Sequence, residues 1–158
     1  LGSDKSSSFM GSDFTNGDMA QPDLEDLNFT WLSQEKVKFK GKGIKTEKIE
    51  AVFKDSQMAA DYGVSKTVAW VHPSSGLIFK MESFNLQGQH ERTLKLLSFK
   101  TVKNRDGKKV YTPRGIEMKN EIKGTKTIMN VKNMKTEKQA AKVHAGIFSL
   151  KHLTRRWW

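Results

Sequence analysis

The sequence predicts a mainly β fold: an antiparallel meander that curls into a barrel or half-barrel, with one or two short helices. Three observations lead there. Runs rich in Val, Ile, Thr, Phe and Trp follow one another at short spacing. Short Gly-, Asn- and Pro-containing turn signals separate them. Only one stretch of any length, residues 136–145, has helix-forming composition. Consecutive strands joined by short turns are antiparallel neighbours, and such sheets tend to curl.

The elements follow in order along the chain. Residues 1–12 are rich in Ser and Gly and read as loop. Residues 13–26, with several acids and Pro22, suggest a turn and a short helix. Residues 27–40 and 44–53, joined by Gly41-Lys42-Gly43, read as a hairpin. Residues 54–63 read as loop with a helical turn at 57–61. Strands are expected at 64–71 and 77–86 around the turn His72-Pro73-Ser74-Ser75-Gly76. The next strand, 91–103, follows Gln87-Gly88-Gln89 and ends at Asn104-Arg105-Asp106-Gly107. A further strand is read at 115–121, approached from 109–112 past Pro113, and another at 124–135. Thr136 is an N-cap candidate for the helix 136–145, Gly146 ends it, and 147–153 forms a short closing element. The basic-aromatic tail 154–158 is expected to pack or fray.

The length, 158 residues, suits one domain. A hydrophobic content of 36% is lean and suits a sheet with one wet face. There is no run of 18 apolar residues that would span a membrane as a helix, and no secretory signal. The chain begins at Leu1 rather than Met, so a processed or excised piece is the expectation. The absence of cysteine excludes a disulfide framework, a thiolate metal site and a cysteine nucleophile. Net charge is +11, but residues 1–35 carry seven acids (Asp4, Asp13, Asp18, Asp23, Glu25, Asp26, Glu35) against Lys5 alone. The basic remainder is mostly Lys, with five Arg in the whole chain. That suits a solvated lysine face better than base readout, which leans on Arg, so nucleic acid is not expected as a partner.

Signals for chemistry are absent. Gly41–Thr46 and Gly124–Thr127 lack the spacing of a phosphate loop and lie in β context. His72, His90, His144 and His152 have neither each other nor a carboxylate at metal-ligand spacing. No Ser occupies a nucleophile elbow. The chain is therefore expected to be no enzyme and to carry no cofactor or metal.

The apolar alternation remains. Val68 and Trp70 recur at period 2, as do Leu77, Phe79 and Met81, then Leu94 and Leu96, Ile116 and Met118, and Met129 and Val131. Lys80, Glu82, Lys95, Lys126 and Lys132 fall at alternate positions. The reading is one wide apolar face, softened by seven methionines. Such a face is ordinarily core. With little helix to cover it, it can instead hold a ligand.

The segment Phe9-Met10-Gly11-Ser12-Asp13-Phe14-Thr15-Asn16-Gly17-Asp18-Met19 resembles the FMGSDF(S/T)xxD(L/M) signature of the LolA-like outer-membrane lipoprotein-sorting family. Ser65–His72 is similar to the family pattern, as is the region from Met118 to Phe148 with Gly124-Thr125-Lys126-Thr127. Residue 17 is Gly where that pattern more often has Glu. In the family the signature lies near the middle of the mature protein, so the chain resembles the C-terminal part of a member, a single domain lacking its N-terminal part (1–12 loop, 13–153 sheet, 154–158 tail). The resemblance implies an incomplete β-barrel in the periplasm of a Gram-negative bacterium. It implies a carrier whose concave side takes acyl chains of lipoproteins or lipids toward the outer membrane. Trp70, Phe79, Met81, Leu94, Leu96, Met118, Met129 and Val131 would line its groove. The alternative is an interaction module that docks a partner through its sheet edge. That partner would be an inner-membrane exporter of the resistance-nodulation-division class, or a second copy in a dimer.

Overall fold

The computed structural model describes residues 4–104 and 106–132. Seven strands form one antiparallel sheet in sequence order: β1 (Leu27–Phe39), β2 (Lys42–Phe53), β3 (Lys66–Val71), β4 (Ile78–Phe84), β5 (His90–Lys103), β6 (Lys109–Asn120) and β7 (Lys126–Asn130). Every strand pairs with its sequence neighbour, so the meander read from the turns holds, and among the described residues the sheet does not close. Two short helices accompany it, α1 (Asn16–Ala20) and α2 (Ser56–Tyr62), with a 3-10 turn at Leu24–Asp26. The helix expected at 136–145, the closing element at 147–153 and the tail lie outside the described residues.

Local chemistry explains the ends of these elements. Thr15 caps α1 in a capping box: its hydroxyl accepts from the Asp18 N–H, and the Asp18 carboxylate accepts from the Thr15 N–H. Asp55 caps α2 by accepting from the Gln57 N–H at 2.8 Å. Gly63 ends it in the left-handed region, where a Cβ would also meet Ser6 at 2.8 Å. The β1–β2 turn holds Lys40 and Gly41 at φ 48° and 78°, the positive pair that a two-residue hairpin turn needs.

Bulges set the shape. Leu32, Phe79, Glu91, Leu97 and Arg114 are each an extra residue in the pairing of their strand with a neighbour. A bulge bends its strand and raises the local twist. The sheet curves far enough that Phe39, at the end of β1, meets Phe79 of β4 at 5.0 Å and Phe99 of β5 at 5.7 Å. The curved, incomplete barrel expected from the sequence is therefore present. Its core at this end is Leu77, Phe79 and Leu96, packed against Val37, Phe39, Ile44, Phe99, Tyr111 and Ile116.

Two strands and one helix differ clearly from expectation. Residues 109–112 and 115–121 are one strand, β6, because the bulge at Arg114 lets Pro113 sit in the ladder without breaking it. β7 covers only Lys126–Asn130 of the expected 124–135. Residues 56–62 form a full helix rather than one turn in a loop.

Candidate functional site

Residues paired across antiparallel strands share a face, so the register decides which side chains meet. One row runs across the whole sheet: Trp31, Ile49, Ala69, Met81, Leu94, Met118 and Thr127. A second row on this face joins Leu96, Ile116 and Met129. Ile49, Ala69, Met81 and Leu94 are only half-buried, and Trp31 is 62% exposed. Phe29, one row further on, is 52% exposed.

The next row on this face is polar and buried. Ser83, Arg92 and Asn120 pair across β4, β5 and β6. Arg92 is 4% exposed and forms an ion pair with Asp18, which lies just outside the sheet on α1. The Asp13 carboxylate accepts from the hydroxyls of Thr125 at 2.5 Å and Thr127 at 2.8 Å. The Asp13 N–H in turn donates to Thr127 at 3.1 Å. Phe14, between these two acids, is 1% exposed. The segment that carries the family-like signature is thus clasped onto the apolar-row face by its two aspartates. Its FMGS portion is a tight turn: Ser12 N–H donates to Phe9 C=O at 3.0 Å, with Met10 and Gly11 at φ 52° and 74°. Gly17 is tight for a related reason. A Cβ there would sit 2.8 Å from the Tyr62 ring, which packs on Phe53 at 4.8 Å, and 3.0 Å from the Lys5 carbonyl.

The opposite face is charged. Lys48, Trp70, Lys80 and Lys95 form one row. Trp70 lies between the ammonium groups of Lys48 and Lys80, 5.0 and 4.3 Å from its ring. Its indole N–H donates to Glu35 at 2.8 Å, and this bond is the leading cause that holds the Glu35 carboxyl below its ordinary pKa, followed by Lys48. Ion pairs Lys66–Glu50, Lys80–Glu82, Lys119–Glu121 and Lys126–Glu117 complete this side.

The eight residues expected to line one groove are therefore divided. Met81, Leu94, Met118 and Met129 share the apolar-row face, with Leu96 in the adjoining row. Trp70 projects from the other face, since it pairs with Lys80 while its neighbour Ala69 pairs with Met81. Phe79, the bulged residue of β4, has no partner on β3 and packs in the end cluster with Leu77 and Leu96. Val131 lies just beyond β7 and is 38% exposed.

At that end the sheet has a half-open hollow of about 310 Å³ between β1, β4 and β5. Val37, Phe39, Phe79, Leu96 and Leu97 give it an apolar lining, and Lys38, Lys40, Lys80 and Lys95 contribute the rest. Periodicity could not show this hollow, because it depends on β1 meeting β4. Among the described residues no three His, Cys, Asp or Glu side chains are grouped to hold a metal ion. No helix among them is long and apolar enough to cross a membrane.

A family model described as "Uncharacterized protein" matches residues 1–155. Three solved structures share the fold. An outer membrane lipoprotein-sorting protein domain from Vibrio parahaemolyticus aligns with TM-score 0.79 and 24% identity, over 98% of this chain and 60% of that one. A LolA superfamily protein from Nitrosomonas europaea aligns with TM-score 0.69 and 19% identity, over 94% and 60%. The chain belongs to the matched family, and its fold is LolA-like. A DUF1329 family protein from Desulfovibrio piger has the same LolA-like fold, with TM-score 0.73 and 19% identity, over 97% and 58%. This LolA-like chain spans 58–60% of the length of these three structures. No curated protein matches it.

Proposed function

We propose that this chain is a periplasmic carrier that shelters acyl chains of lipids or lipoproteins against its sheet on the way to the outer membrane, and that it catalyses no reaction. The observation that carries the reading is the row that is apolar across six strands, from Trp31 to Met118, and left half-covered from Ile49 to Leu94. A packed core would hide these side chains, whereas a carrier needs apolar surface to lend. Met81, Leu94 and Met129, which are half-buried, would contact the chain, while Met118, Phe79 and Leu96 are already packed within the fold beneath it and Val131 lies at a margin. Methionine suits cargo of varied shape because its side chain is unbranched and polarisable. About ten methylenes buried at about 0.8 kcal/mol each give about 8 kcal/mol, a micromolar Kd. That is tight enough to carry and weak enough to hand on.

Delipidated protein should bind a fluorescent fatty acid saturably, and Leu94→Gln should weaken binding several-fold without unfolding the protein. Absence of saturable binding by the folded wild type refutes the proposal. A second reading has its own observation: among the described residues β1, 13 residues long, is an edge strand and carries exposed Phe29 and Trp31. It would dock a partner by strand addition, an exporter of the resistance-nodulation-division class or a second copy. Light scattering and pull-down on lipid-free protein separate that role from lipid carriage.

A further inference from the structure

Positive charge is gathered at one end of the sheet. The β1–β2 hairpin closes there with Lys36, Lys38, Lys40, Lys42 and Lys45. Alternate turns of a meander lie at the same end, so the β5–β6 hairpin also closes there, with Lys100, Lys103, Lys108 and Lys109. The β3–β4 turn is the third at this end. Across residues 36–45, 72–77 and 99–111 the sequence has one acid, Asp106. All nine lysines are exposed, and none is ion-paired among the described residues. The other described residues carry twelve bases against fifteen acids, so the excess positive charge among the described residues comes from this end alone.

The curl of the sheet joins the two tips. Phe39, between Lys38 and Lys40, stacks on Phe99, beside Lys100, at 5.7 Å, and Phe99 meets Tyr111 at 6.0 Å. Lys36 pairs directly with Lys45, and Lys103 with Lys109. Like charges opposed across strands are destabilising. At Lys119 and Lys126 the same pairing is relieved by Glu121 and Glu117. At this end no acid relieves either pair among the described residues. Residues 133–158 bring six bases and one acid, Glu137, so they are poor in neutralising charge as well. Lys36, Lys38 and Lys45 fall on one face of their hairpin and Lys42 on the other, and Lys100 and Lys103 fall on opposite faces of β5. The lysines thus ring the end of the sheet and line no single groove, which suits an extended anionic surface better than a strand of nucleic acid or an acidic peptide.

We infer that this end of the sheet docks on a membrane surface rich in anionic phospholipid, with the lysines of both hairpins against the head groups. The half-open hollow lined by Val37, Phe39, Phe79 and Leu96 lies at the same end, so docking brings apolar lining toward the bilayer. The inference stands on the placement of charge and goes beyond the carrier reading.

Flotation of the full chain with vesicles of phosphatidylcholine, alone or with one-third phosphatidylglycerol, tests it at low and high salt. Binding to the anionic vesicles should be tighter by about tenfold or more at low salt, and high salt should erode the difference. Lys36→Gln/Lys103→Gln, which breaks both lysine pairs, should weaken anionic-vesicle binding by about fivefold or more without lowering the melting temperature. Lys54→Gln/Lys123→Gln removes equal charge from the opposite end and should change binding less than about twofold. No preference for anionic vesicles, or equal losses in the two variants, overturns the inference. Unchanged binding by Lys36→Gln/Lys103→Gln also overturns it and assigns the attraction to another part of the chain, such as the basic tail 154–158. Tighter binding to a short DNA duplex than to anionic vesicles overturns it in favour of nucleic acid. Vesicle docking by a protein that binds no fatty acid supports this inference and refutes the carrier reading.

Discussion

Asp18→Ala tests what holds the N-terminal segment on the sheet. The Arg92 side chain is 4% exposed and that of Asp18 15%. The next nearest acid, Glu91, stands 3.9 Å from the guanidinium, and Arg92 Nε has no hydrogen-bond partner. An arginine does not discharge itself by losing a proton. Removing Asp18 therefore leaves a buried cation with its remaining acid, Glu91, at 3.9 Å, which costs up to about 3–5 kcal/mol. The acceptor for the Thr15 N–H disappears as well, adding about 1 kcal/mol. Against a typical total of about 5–15 kcal/mol this is a large fraction. In Asp18→Ala/Arg92→Met the orphaned charge is gone and an unbranched apolar chain fills its space, so most of the loss should be recovered. Urea unfolding followed by tryptophan fluorescence on wild type, both single variants and the double variant gives the coupling energy, expected at about 2–4 kcal/mol. A loss below about 1 kcal/mol for Asp18→Ala, or a double variant no more stable than that single one, would refute the clasp.

Gly17→Ala sets two effects against each other: helix propensity gains up to about 1 kcal/mol, while the new Cβ meets a stacked ring and a backbone carbonyl and costs about 1–3 kcal/mol. Net destabilisation is expected in urea, and an unchanged or higher midpoint would show that Tyr62 yields freely. Acid should also destabilise the fold through Glu35, Glu47 and Glu121, all held below their ordinary value of 4.5, Glu35 mainly by the Trp70 N–H, Glu47 by Trp31 and Glu121 by Lys119. Because the folded pKa is depressed, this stability is present above about pH 4.5 and is lost as pH falls through the folded values. Trp70→Phe removes one donor, so its melting temperature should fall less steeply below that pH than that of wild type; identical slopes would count against the Trp70–Glu35 bond.

The meander was legible because its punctuation is local. A turn such as Lys40-Gly41 declares itself in adjacent residues, and each strand then pairs with the next. The bulges carry no such mark. Nothing beside Phe79 in sequence shows that it is an extra residue in its ladder, yet it re-aims β4 toward the end cluster. Counting every second residue therefore grouped Trp70 with Met81, although the register puts them on opposite faces. Trp70 itself read as a groove residue because it is large and apolar, while its neighbours are the ammonium groups of Lys48 and Lys80 and the Glu35 carboxylate. Asp13 and Asp18 read only as two of the seven acids in residues 1–35. Their partners Thr125, Thr127 and Arg92 lie 112, 114 and 74 positions away, beyond the reach of any local pattern.

Those separations bear on the order of assembly. Each hairpin of the sheet can form as soon as its second strand exists, since its contacts are near in sequence. The Asp13–Phe14–Asp18 segment is made before its partners and cannot grip them until Arg92, and then Thr125 and Thr127, have been synthesised. Its docking is a late event in folding, and it tethers this segment to β7.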